Sequence, residues 1–162
     1  MLLRTILLTF HIISAGIWIS QFPLSLLLNQ VTKRMAGTPG ERAITMARGQ
    51  LLGGLGQYGG MGILITGLGL ILLEGLGFLG IGGPTPAWLM IKQVIYVIAL
   101  ILVFAVIQPA GKRAALAMQQ AAQSGGPVSE EARAAARRAE QVSHLLNLLV
   151  LVNIILAVWK PV

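Results

Sequence analysis

The residues that could do chemistry in this chain lie in or beside its apolar stretches. His11 and Lys92 sit within such stretches, where an ionisable side chain is costly and marks a site by default. The imidazole of His11 can ligate haem iron or copper. Tyr96 follows Lys92 by one helical turn, on the same side of a helix. Asn153 lies seven residues before Lys160, and Glu74 is the one acid near Arg4 and Lys92, able to pair with either. The second histidine, His144, stands apart, with Gln50 and Gln108 as candidate neighbours. Met61 and Met90 offer thioether sulfur, a soft ligand for copper. Cysteine is absent, which removes thiolate ligands, disulfides and cysteine nucleophiles. No pair of carboxylates suggests acid–base catalysis, and no zinc-hydrolase or nucleotide-binding motif is present.

These residues must be positioned by helices in lipid. The chain has 162 residues, of which 56% are hydrophobic and 10% charged, against about 25% charged in ordinary soluble domains. Mean hydropathy is +0.81. Four apolar stretches, about 3–28, 51–73, 88–108 and 143–160, predict four spanning helices, since a crossing needs about 20 residues. Backbone polar groups in hydrocarbon must be paired internally, so helices follow. The expected fold is all-α: one four-helix transmembrane bundle forming a single domain over 1–162, with no separate soluble part. Pro23 predicts a kink in the first helix, and Pro84 and Pro86 a stop before the third. The first stretch is too long for a signal-peptide core and reads as a retained helix.

Charge sets the orientation. The connections 29–50 and 109–142 hold nine Lys and Arg between them: Lys33, Arg34, Arg42, Arg48, Lys112, Arg113, Arg133, Arg137 and Arg138. The other side holds Arg4 and Lys160, and the connection 74–87 holds neither Lys nor Arg. Positive residues gather on the cytoplasmic side, so both termini are expected outside. The net charge of +7 then reflects topology, and nucleic acid is not an expected partner; membrane lipid is. Ser124-Gly125-Gly126-Pro127 reads as a turn, and Ser129 as the N-cap of a helix that continues into the fourth span. Arg133, Arg137 and Arg138 anchor that topology, and also suit anionic lipid or a soluble partner.

With this orientation His11 is about 10 Å and Lys92 about 6 Å inward from the outer ends of their helices, at 1.5 Å per residue. Asn153 reaches the same layer. His144 lies about 20 Å away in depth, which argues against one haem held between the two histidines. The second span contributes nine glycines between Gly49 and Gly69. Small residues let membrane helices approach closely, within the chain or between copies in a homo-oligomer. Glycine also leaves space for a planar cofactor, for which Gly53, Gly56 and Gly60 are the candidate surface. Plainer roles stand beside these: Lys92 can snorkel to the headgroups, and His11 can hydrogen-bond a neighbouring helix.

At HIISAGIWIS (11–20), WLMIKQVIYVIAL (88–100) and HLLNLLVLVNIILAVWKP (144–161) the chain resembles small bacterial integral membrane proteins of the DUF2269 type, within the broad CopD/HemJ-like group. The resemblance spans nearly the whole chain through largely apolar motifs. It implies a multi-pass protein of the bacterial cytoplasmic (inner) membrane. HemJ-like proteins imply haem b and porphyrinogen oxidation, with His11 and Lys92 matching a first-helix histidine and a third-helix lysine. CopD-like proteins imply copper uptake. The chain lacks the polar segments of a HemJ site, and its glycine-rich second helix departs from that pattern. Three functions are therefore expected in turn. The first is a haem-binding redox protein, with His11 on iron and Lys92 or Arg4 meeting propionates. The second is a transport component for copper or a small solute. The third is a structural or assembly subunit.

Overall fold

The computed structural model describes residues 1–35, 38, 40–124 and 130–160. Among them the chain is helical apart from the 74–86 connection and a few residues at helix ends. Four helical stretches are long and apolar enough to cross a membrane: Leu2–Arg34, Ala43–Leu73, Ala87–Ala117 and Arg137–Trp159. This is an all-α multi-pass membrane protein. It divides into two compact units, Met1–Pro86 and Ala87–Val162.

In the first unit α1 (Leu2–Ile19) is followed directly by α2 (Gln21–Arg34), and both pack on α3 (Glu41–Leu73). The break between α1 and α2 falls at Ser20, one turn upstream of Pro23. Pro23 has no N–H to give the carbonyl of Ile19, and its ring crowds that group, so the helix is disturbed there. Two side chains add hydrogen bonds to carbonyls just before the break: Ser20 Oγ donates to Ile17 O (2.6 Å) and Gln21 Nε2 to Trp18 O (3.1 Å).

α3 lies antiparallel to α1, and its glycines set the closeness. Leu7 packs on Gly69, His11 on Gly67, Ser14 on Gly62, Trp18 on Gly59 and Gly60, and Gln21 on Gly56. At Gly59 a Cβ would stand 2.8 Å from Trp18 N and 3.0 Å from Ser14 O. Backbone meets backbone here, and no side chain fits between. Trp18, 5% exposed, fills the seam beside this contact.

The connection after α3 is built from two backbone-bonded turns. Gly75 (φ 62) ends α3 in a Schellman motif: Leu76 N–H donates to Ile71 O (2.9 Å) and Gly75 N–H to Leu72 O (3.3 Å). Phe78 and Ile81 then exchange backbone hydrogen bonds of 2.9 and 3.0 Å across Leu79 and Gly80, both at positive φ. That is a two-residue turn of the primed kind. Phe78, Leu79 and Ile81 are exposed on it.

In the second unit α4 (Ala87–Leu102) begins directly after Pro86, runs into a π-helical turn (Val103–Ile107) and continues as α5 (Gln108–Ser124). Pro109 therefore does not end the helix as expected at residue 108. The wider turn, with Gln108 N–H donating to Val103 O, accommodates the backbone that proline disturbs. α6 (Glu130–Trp159) packs on α4 and α5. It is one continuous helix from before the fourth span to its end. Ala99 on α4, Ala110 on α5, and Leu146 and Val150 on α6 are buried in this unit. The two basic connections are thus largely helical, with α2 and α3 extending into 29–50 and α5 and α6 into 109–142. Ser129 and the turn at 125–127 lie outside the described residues, as do the side chains of Arg42 and Arg133.

Candidate functional site around His11

α1 carries His11 on the face that meets α3, because it shares that face with Leu7, Ser14 and Trp18 at helical spacing. Its Nδ1 is 2.9 Å from Thr66 Oγ1. Thr66 is itself buried, 8% exposed, and its Oγ1 lies 2.5 Å from Gly62 O, one turn back on α3. Two oxygens so close share a proton, and the single hydroxyl proton is the one available. The hydroxyl therefore donates to Gly62 O, and His11 Nδ1–H donates to the hydroxyl. In the neutral ring this places the electron pair on Nε2. Gly67 makes the geometry possible: a Cβ there would stand 3.3 Å from His11 Cε1.

The end of the hairpin that holds the start of α1 and the end of α3 is closed by an ion pair. Arg4 Nε donates to Glu74 Oε1 at 2.7 Å, with both side chains partly exposed. Of the two partners expected for Glu74, the first unit supplies Arg4.

The proposed cofactor surface on α3 is arranged otherwise than expected. Gly60 is covered by the Trp18 ring and Gly56 by the Gln21 amide, while Gly53 has no atom within 4 Å of its Cβ position. The glycines from Gly56 to Gly69 serve the packing of α1 and the first residue of α2. His11 and Thr66 fit an axial ligand and its support; Gly56 and Gly60 do not fit a macrocycle, because side chains of the same unit already fill the space.

Lys92, Tyr96, Asn153 and His144 belong to the second unit. Lys92 and Asn153 meet there: Asn153 Nδ2 donates to Lys92 O at 3.4 Å, and Asn153 Oδ1 is buried without a hydrogen-bond partner among the described residues. Lys92 Nζ and Lys160 Nζ each lie 5.7 Å from the Trp88 ring centroid. Tyr96 is half-buried. His144 is exposed, as are Gln50 and Gln108. No group of three or more His, Cys, Asp or Glu able to hold a metal ion occurs among the described residues. The sequence reading missed Thr66 as the partner of His11 and Trp88 as the meeting point of the lysines. The signal for the first was a lone hydroxyl within a glycine-rich span, and for the second the Trp88/Lys92 spacing of one turn.

No family model, curated protein or solved structure matches the chain.

Proposed function

We propose that this is a haem-binding redox protein of the bacterial inner membrane in which His11 ligates the iron. The hydrogen bond from His11 Nδ1–H to Thr66 carries this reading. A ligating histidine ordinarily gives its other ring N–H to a fixed acceptor, which sets the tautomer, orients the ring and strengthens the donor nitrogen. Thr66, anchored in turn on Gly62 O, does this for His11. Bound haem would supply one-electron chemistry. The protein's share is to orient the imidazole through Nδ1–H, which assigns ligation to Nε2, and to keep the ring edge against the Gly67 backbone. The charge distribution supports an orientation with both termini outside and the basic connections in the cytoplasm.

The test is the absorption spectrum of the full chain purified from haem-replete cells. A Soret band that is lost or strongly weakened in His11→Ala is expected. Colourless wild-type protein, or an unchanged band in the variant, would overturn the assignment.

A second reading has its own observation. The seam from Gly56 to Gly69 is sealed by α1, which suits a scaffold subunit in which His11–Thr66 is an interhelical tie. That reading expects no chromophore, and destabilisation of the hairpin as the sole consequence of His11→Ala.

A further inference from the structure

Among the described residues, the second unit brings two lysines together at one end with no carboxylate paired to either. Trp88 lies in the first turn of α4, Lys92 in the second, and Lys160 directly after α6. Both ammonium groups lie 5.7 Å from the same indole centroid, within reach of a cation–π contact. Neither lysine pairs with a carboxylate among the described residues, where the one ion pair is Arg4–Glu74.

The backbone reinforces the concentration. The first N–H groups of α4 have no intrahelical partner and carry the positive end of its dipole, so a cation in the second turn is placed against the field. Lys160 adopts φ 42, a left-handed conformation that side chains with a Cβ rarely take, while its N–H donates to Leu156 O at 3.1 Å. Lys160 thus sits where the chain leaves its helix and still comes to Trp88. Two like charges converge on one ring, next to a helix start, at the polar end of two spanning helices. An anion seated there relieves the repulsion and meets the indole, whose amphipathic ring suits the headgroup layer.

We propose that Lys92, Lys160 and Trp88 form a binding site for a phosphate group. The compact, strongly hydrated ammonium is suited to phosphate as a point charge. Two sources share this chemistry, the headgroup of an anionic phospholipid and free phosphate. Its three residues belong to the second unit, and His11 to the first.

The experiment uses the full chain in neutral detergent and follows thermal stabilisation in two titrations, one with phosphatidylglycerol and one with sodium phosphate. Each lysine near a membrane surface contributes on the order of a fivefold gain in affinity for anionic lipid. The Lys160→Gln variant is therefore expected to weaken binding about fivefold, and Lys92→Gln with Lys160→Gln about 30-fold. Lys92→Arg with Lys160→Arg should retain most of the affinity. Lys112→Gln, an exposed lysine on α5, should leave it unchanged. Lysine-dependent binding of phosphatidylglycerol that exceeds that of inorganic phosphate identifies the lipid; equal lysine-dependent binding of both identifies free phosphate. The proposal is overturned if the double Gln variant, with its helix content intact by circular dichroism, binds both ligands within twofold of the wild type. It is equally overturned if Lys112→Gln costs as much as Lys160→Gln.

Discussion

Gly59→Ala is the sharpest perturbation of the first hairpin. The added methyl would stand 2.8 Å from Trp18 N and 3.0 Å from both Ser14 O and Trp18 Cα. Ordinary contact for such atoms is about 3.5 Å or more, so α1 and α3 must separate by roughly 0.7 Å at this point. All three atoms are backbone, and no rotamer change relieves the contact. Overpacking of this kind costs about 1–3 kcal/mol. The loss should spread along the seam, because Trp18 also covers Gly60 and His11 rests on Gly67. Gly53→Ala is the internal control: nothing lies within 4 Å of its Cβ position. It should be neutral, or stabilising by up to about 1 kcal/mol through helix propensity. The expected gap between the variants is about 2 kcal/mol. It is measured by reversible unfolding in mixed micelles with increasing dodecyl sulfate, following far-UV circular dichroism. A Gly59→Ala variant within about 0.5 kcal/mol of Gly53→Ala would show that the helices do not meet at Gly59, and the antiparallel register would fall with it.

Three further outcomes follow from named contacts. The Arg4–Glu74 pair is partly exposed, 58% and 35%, so a double-mutant cycle with Arg4→Ala and Glu74→Ala should give a coupling below about 1 kcal/mol that shrinks with salt; a coupling above about 2 kcal/mol would contradict this. Thr66→Val keeps the side-chain shape but removes the acceptor for His11 Nδ1–H. It should lower hairpin stability by about 1–2 kcal/mol in the same unfolding assay, and an unchanged stability would count against the bond. Asn153→Leu removes a long 3.4 Å hydrogen bond together with a buried, unpartnered carbonyl. Stability should hold or rise by up to about 1 kcal/mol, and a loss above about 2 kcal/mol would mean that the Oδ1 atom has a partner.

The four crossings were legible because hydropathy is a property of whole segments, and stretches such as Ile63–Leu73 have no polar face to confuse the reading. Pro23 signalled a disturbance correctly, yet the break falls at Ser20 because proline acts on the carbonyl four residues behind it. The third span was expected to end near residue 108, yet the helix continues through Pro109: a helix in lipid has strong cause to keep its hydrogen bonds, and a π turn absorbs the proline at less cost than ending the helix. The glycines were legible as a packing signal but not as a register. Nine closely spaced glycines do not reveal which of them face α1, and that face emerges from their match to Leu7, His11, Ser14 and Trp18. His11 stood out as an ionisable group in an apolar helix. Its partner did not, because Thr66 lies 55 residues away and threonine is unremarkable in a membrane helix. Lys92 was legible as a candidate, whereas its convergence with Lys160 depends on a left-handed residue after α6 that no local pattern announces.

The account turns on the state of one imidazole, and the chain has two histidines, so nitrogen-15 spectroscopy of histidine-labelled protein in micelles can read it directly. At a pH high enough for both rings to be neutral, without added haem, the signal lost in His11→Ala is predicted to be a ring protonated at Nδ1, opposite to the usual preference of free imidazole side chains. A neutral ring protonated at Nε2 would mean that Thr66 donates to His11, and the nitrogen assigned to iron would then carry a proton.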